Sequence, residues 1–412
     1  MKKLFFFLVA AMMSGVVFAG GTIAMPTHLF VACQNGSKVT VINCKTNETT
    51  KLDGYMKDLG VDKNGNVYVL VCDSQYGWDD YTVYKNSSIY MSLKSGDNMY
   101  YSSMAMCVKE DVVVVAGTQV KKFNNKGYES RLFGYKNNVL AYETEWERKS
   151  LKRDQFHGYS KIVGSGSKTK TEAIMGQNES GCPDGFHLSV GYHVDAVDYC
   201  DGVIYSTGWG EREYSETPLG FSKQYLVRRC PRVWKNGHNY VEQYENQTGA
   251  AWNIAVFKVA GKEYIFTSGH HRNKPCAWEH STVQLNDSGN YPCIVSEATF
   301  QVDVVNNQPV FCRVFLIKQG SKYRERGIYV QGNKVIQEWG TTSTNYMLDE
   351  TNKVVAGNNS YYRIMTTSGG IEVWGARYFE KKDNKYQYKR FGTVTNLPSD
   401  FVVAGSKLAV YE

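Results

Sequence analysis

Proline is scarce in this chain, 8 residues in 412. No stretch of useful length carries the apolar i, i+3, i+4 spacing of an amphipathic helix, which excludes helix packing as the organising layer. Beyond Val17 no apolar run is long enough to span a bilayer as a helix. The Gly-x-Ser-x-Gly, His-Glu-x-x-His and phosphate-loop signatures are absent, and with them the commonest esterase, zinc-protease and NTPase readings. Excess charge of one sign is lacking as well. The formal net charge is +7, or about +5 without Lys2 and Lys3, too mild to argue for nucleic acid. Nothing in the sequence calls for a metal or a cofactor.

Tyrosine, by contrast, is abundant at 30 residues. A chain rich in tyrosine and poor in proline suits many short, half-buried strands. The start, MKKLFFFLVAAMMSGVVFAGG, has a basic pair, an apolar stretch from Leu4 to Val17, and small residues at Val17 and Ala19. This is the pattern of a signal peptide cleaved near Ala19, and it predicts export to the periplasm or the medium. Residues 1–19 are then the leader and 20–412 one domain, expected to be a monomer. The chain has 10 cysteines, most of them inside strand-like runs. Buried thiols are expected rather than a disulfide framework. If Asn35-Gly36 is the turn of VACQNGSKVTVINC, Cys33 and Cys44 lie too far apart along the ladder to bridge.

Internal repetition sets the fold. Val194 to Gly237 shows the unit: VDAVDYCDGVIYSTGW, a polar loop, then RRCPRVWKNGHNYV. Four short strands joined by hairpins in about 45 residues make one blade of a β-propeller. The first half recurs at Asp58 to Val71, Met104 to Gly117, Asp195 to Gly208 and Ile254 to Gly269. Looser copies lie at Phe300 to Val314, Tyr346 to Asn358 and Phe401 to Glu412. The second half recurs around Tyr84, Tyr135, Trp234, Trp278, Tyr329 and Trp374, at steps of 44 to 51 residues save one of 99. Residues 142–192 fill that double step and read as an irregular, degenerate blade or, second, as an insertion. The prediction is an all-β propeller of seven blades, with six or eight as alternatives, closed by pairing the C-terminal strands with the hairpin at Thr27 to Asn43. Asn64-Gly65 and Asn236-Gly237 are expected as type I′ turns, because both residues accept φ > 0. The in-phase aromatics are expected between blades.

The Val-Tyr-Val-x-Gly run followed by Trp-Lys-Asn-Gly resembles repeats of secreted bacterial propellers. DLGVDKNGNVYVL, from Asp58 to Leu70, is similar to an NHL-type repeat. The resemblance implies the propeller fold and no particular activity. The sialidase Asp-box and the WD40 Trp-Asp signature are absent.

Function is sought in the loops. Turns between the first and second strands of each unit are tight. Connections between the second and third are longer: SQYGWDDY (Ser74 to Tyr81), WGEREYSETP (Trp209 to Pro218) and GHHRNKP (Gly269 to Pro275). Loops on a rigid scaffold are where binding usually resides. The candidate surface is Tyr76, Trp78, Trp209, Arg212, Tyr214, His270, His271 and Arg272. Aromatics beside Arg and carboxylates suit sugar stacking; packing of the loops on one another is the bland alternative. The prediction is an exported, non-catalytic binding protein whose partner is a glycan or a cell-surface protein. The alternative is a glycoside hydrolase or polysaccharide lyase using Asp79, Asp80, Glu211 or Glu213. His270 and His271 lie near Cys276, Glu279 and His280, but in no zinc-ligand spacing.

Overall fold

The computed structural model describes residues 25–75, 79–96, 98–123, 127–150, 160–163, 170–173, 191–216, 224–243, 249–271, 274–286, 293–319, 322–340, 355–357, 360–367, 370–403 and 406–412. The repeated aromatic-Lys-Asn step fixes where each outer hairpin folds back. In it an asparagine takes positive φ: 47° at Asn86, Asn137 and Asn236 alike. Its amide N–H donates to the carbonyl at the start of the second strand, and its side-chain oxygen accepts from the N–H of that same residue. The pairs are Asn86 with Val67, Asn137 with Val113 and Asn236 with Ile204, all at 2.9–3.0 Å. Each clamp joins the third-to-fourth turn to the second strand, which is why the motif recurs.

These hairpins build seven four-stranded antiparallel blades. Blades 1 to 6, in chain order, have Tyr55–Val61, Met99–Lys109, Tyr192–Cys200, Gly249–Val259, Cys293–Val305 and Val355–Ala356 as first strands. Each first strand touches those of its neighbours, so the first strands line the central axis. Blade 7 closes the ring. Its innermost strand is the C-terminal Lys407–Tyr411, followed outwards by His28–Asn35, Lys38–Asn43 and Thr49–Asp53. Leu29 pairs with Val410 and Val31 with Leu408. Leu29, Val31 and Leu408 are buried with Tyr362 and Ile364 of blade 6, and the partly buried Val410 packs against them. Burying each such side chain stabilises the fold by about 1.5–3 kcal/mol. Among the described residues no helix is long and apolar enough to cross a membrane.

The all-β, seven-bladed architecture is the expected one, and three of the in-phase aromatics are buried as expected, while Tyr84, Tyr135 and Trp374 are only partly buried. Trp234, Trp278 and Tyr329 are at most 1% exposed. Details differ. Strand structure at the C-terminus is confined to Lys407–Tyr411, while Phe401 and Val403 pack as irregular chain, and the N-terminal region supplies three strands of blade 7. Blade 2 ends at Glu143, and its third strand also pairs with Glu147–Ser150. Ser160–Val163 and Lys170–Ala173 pair with each other alone. Among the described residues 142–192 thus add no blade, and seven are complete without them. Asn236-Gly237 has the expected φ values of 47° and 80°. Of Asn64-Gly65 only Gly65 has positive φ, because Asp62 organises a wider loop, accepting from the N–H groups of Asn64 and Asn66 at 2.9 Å. The first hairpin turns at Gly36-Ser37, since Asn35 pairs with Lys38. Cys33 and Cys44 are buried and not bridged to each other, and five of the other six cysteines whose side chains are described are buried too.

Inward-reaching polar groups lock the blades. Asp198 Oδ2 in blade 3 accepts from Val256 N–H of blade 4 at 2.6 Å and from Lys109 Nζ of blade 2 at 2.9 Å. Asp58 in blade 1 likewise accepts from Met106 N–H of blade 2 at 3.2 Å. Arg313 of blade 5 is wholly buried. It donates to both Glu297 oxygens at 2.6 and 3.0 Å, to Gln284 Oε1 at 2.6 Å and to the Thr267 and Trp278 carbonyls.

Candidate functional site

The ring has two ends. The turn end carries the first-to-second and third-to-fourth turns; the loop end carries the second-to-third connections. At the loop end, the first strands of blades 1 to 5 each hold a bulge near their start. The register skips at Lys57, Ser102, Asp195, Trp252 and Val295. A bulge re-aims the extra residue and bends its strand. Because first strands line the axis, the five residues form a collar around the loop-end mouth. Glycines back three of the bulges. A Cβ on Gly117, Gly208 or Gly269 would collide with the carbonyl oxygen of Ser103, His193 or Ala250. The glycine that ends these three apolar runs is therefore required by close approach of the bulged strand.

Blades 3 and 4 turn this collar into a chemical site. In blade 3, His193 on the first strand pairs with Trp209 on the second. Their rings stack at 5.2 Å with an interplanar angle of 3°. In blade 4 the order is reversed: Trp252 on the first strand meets His270 on the second at 5.0 Å. Asp195 stands between the two pairs. Its Oδ1 lies 3.2 Å from His193 Nε2, and its charge reaches His270. Burial holds the His270 pKa below its usual value, and Asp195 offsets only part of this. The His270 ring is therefore neutral at neutral pH. On the blade 2 side, Ser103 Oγ accepts from Val194 N–H at 2.8 Å, which ties the first strands of blades 2 and 3 together next to Ser102 and Asp195 in the chain.

Several polar atoms here have no hydrogen-bond partner within the protein. They are Ser102 Oγ, Asp195 Oδ2 and His270 Nδ1, with Ser406 Oγ just before the first strand of blade 7. Ser102 is 5% exposed and Ser406 3%. Buried polar groups are ordinarily satisfied, and each exception calls for an explanation. Lys57 reaches only the Gln75 carbonyl among its described contacts, at 3.3 Å, and burial lowers its pKa.

Of the eight candidate residues, Trp209 and His270 fall in this cluster. His271 ends the strand Lys262–His271 and is 8% exposed. Two of the three stretches expected as loops are largely strand: Val203–Glu216 contains Trp209, Arg212 and Tyr214, and Lys262–His271 and Lys274–Glu279 take up most of Gly269 to Pro275, whereas of the described residues between Ser74 and Tyr81 only Tyr81 is strand. In blades 3 and 4 the second and third strands continue past the body of the blade. Tyr76, Trp78 and Arg272 lie outside the described residues, as do the side chains of Arg212, Tyr214, Glu211 and Glu213. Asp80 is engaged by Lys94 at 2.8 Å and by Ser95 N–H at 2.7 Å. Glu279 is buried beside Arg313, accepts from Gln284 at 2.6 Å, and is pushed up by burial to about 7. No group of three or more His, Cys, Asp or Glu is placed to hold a metal among the described residues.

His193, Asp195, Trp252 and Ser102 escape the sequence reading because a bulge breaks strand alternation silently. The signal that marks them is the glycine at the end of the second strand's apolar run, followed by Trp209 or His270.

No known protein family matches the chain, and no curated protein matches its sequence. Among solved structures, the propeller domain of the trilobed protease from Pyrococcus furiosus is 8% identical, with a TM-score of 0.38, over 92% of this chain and 98% of that one. Dihydro-heme d1 dehydrogenase NirN is 11% identical, with a TM-score of 0.38, over 92% and 75%. Aleuria aurantia lectin is 9% identical, with a TM-score of 0.31, over 92% and 100%. At these scores and identities none of them lends this chain an activity or a ligand.

Proposed function

We propose that this chain is an exported, non-catalytic binding protein that takes a glycan or a surface protein at the loop-end mouth of its ring. The observation that carries the reading is the cluster on blades 3 and 4. Two Trp/His pairs flank a carboxylate with one buried oxygen that has no partner within the protein. Aromatic faces beside polar groups on a rigid strand scaffold suit recognition of a partly apolar, partly hydroxylated surface. Glycoside cleavage asks for two carboxylates across the scissile bond, roughly 5–10 Å apart. The described contacts around Asp195 bring imidazoles and indoles, not a second carboxylate. Export rests on the leader pattern from Lys2 to Ala19. A glycan-array screen of the mature protein, run beside a reducing-sugar release assay, tests the reading. Binding without release is the expected result; release of reducing ends would make it an enzyme.

A further inference from the structure

The unpartnered atoms of the collar specify more than a place; they specify what must come to it. Asp195 Oδ2 accepts only. His270 is neutral and offers Nδ1, and Ser102 offers a hydroxyl that turns either way. The three sit on consecutive blades, 4, 3 and 2 counted from His270 to Ser102. A ligand that answers them all must donate to Asp195 and bring further hydrogen-bonding groups, on separate atoms, spaced across three blades. An anionic ligand would bring like charge against Asp195, which costs rather than contributes. A single ammonium donates from one atom and cannot span the three. Beside the polar groups stand the indoles of Trp209 and Trp252, both partly exposed, which offer apolar area.

We propose that the ligand is an uncharged, hydroxyl-rich ring, a neutral terminal sugar of a glycan, lying against Trp209 and Trp252 with its hydroxyls on Asp195, His270 and Ser102. This rests on the binding function proposed above and narrows it. The carboxylate accepts two-centre hydroxyl contacts, the charge-assisted kind that is roughly twice as strong as a neutral pair. Stacking on the indoles supplies the rest of the affinity and selects a flat, apolar ring face.

Isothermal titration with three probe sets tests this: neutral oligosaccharides ending in hexose or deoxyhexose, the same chains ending in a uronic or sialic acid, and chains ending in an amino sugar with a free amine. The expected result is binding of at least one neutral probe. Asp195→Asn and Trp209→Ala should each weaken it tenfold or more, with His270→Gln acting in the same direction. Melting curves confirm that each variant is folded, and Trp209→Phe should recover part of the lost affinity. Preferential binding of the acidic or the amine-bearing probes, with the same dependence on Asp195 and Trp209, would overturn the neutral-sugar assignment and leave the binding site standing. Binding of any probe that is indifferent to all these variants would overturn both the assignment and the site, and binding of none would overturn the neutral-sugar ligand.

Discussion

At the turn end the charges find partners: Lys63 meets Asp111, Lys258 meets Asp201, and Lys235 meets Glu263 at 3.0 Å. Glu263 also accepts from the hydroxyls of Tyr205 and Tyr240. At the loop end Ser102, Asp195, His270 and Ser406 keep buried atoms without a protein partner. The same seven sheets make both ends, so the difference is not one of architecture. Cavities of about 300 and 260 Å³ open between blades at the turn end, and the wall of the smaller holds the Lys258–Asp201 and Lys235–Glu263 pairs. Free volume alone is therefore a poor guide to where a ligand belongs in this ring. In the function proposed here the unanswered hydrogen-bonding capacity of the collar is the guide, because it costs stability that a ligand or solvent returns.

The largest perturbation removes the wall that both ends share. Deleting residues 401–412 takes away the innermost strand of blade 7 together with Phe401 and Val403, and bares the apolar faces of its neighbours. Loss of the cooperative melting transition, or aggregation, is the expected outcome in calorimetry. A truncated chain that melts like the full one would show that the ring does not depend on this closure, and the two ends would have to be explained separately.

A smaller effect separates the inter-blade interior from the mouth. Glu279 has a folded pKa of about 7 against an ordinary 4.5. A raised pKa means the folded state prefers the protonated carboxyl. Its favourable contribution is thus complete below pH 4.5 and is lost as pH rises through about 7. Melting temperatures measured across that window should fall with pH in the unaltered protein, and the fall should flatten in Glu279→Gln. Ligand affinity should not follow this titration, since Glu279 belongs to the Arg313 network and not to the collar. An unchanged slope in the variant would remove Glu279 as its source.

The blade architecture was legible in the sequence because turns announce themselves. Asn236-Gly237 and its relatives demand φ > 0, and alternating apolar runs on either side leave one register open. Burial of Trp234 and Trp278 followed from their phase. The proposed site was legible only by its end of the ring. Loop length placed it at the second-to-third connections, yet Trp209 and His270 stand on strands, and their partners His193 and Trp252 sit on first strands that read as ordinary core. Bulges are the reason: one extra residue at Asp195 leaves the local pattern looking regular while turning a carboxylate towards the mouth. The asparagine clamps were visible as a repeated letter and not as a bond, since their partners Val67, Val113 and Ile204 lie 19 to 32 positions away. Arg313 gave no signal, as a lone arginine in VFCRVFL carries no mark of the five bonds that bury it.

Scanning calorimetry of ligand-free protein, with Asn236→Ala and Asp195→Asn side by side, tests most directly whether one end is built for stability and the other for a ligand. Asn236→Ala breaks a clamp and places alanine at φ > 0, so a loss of about 2 kcal/mol is expected, with a lower melting temperature. Asp195→Asn relieves a partly buried carboxylate that the protein leaves half-partnered, so its melting temperature should be unchanged or higher. A drop for Asp195→Asn as large as that for Asn236→Ala would contradict the account, for Asp195 would then be serving the fold.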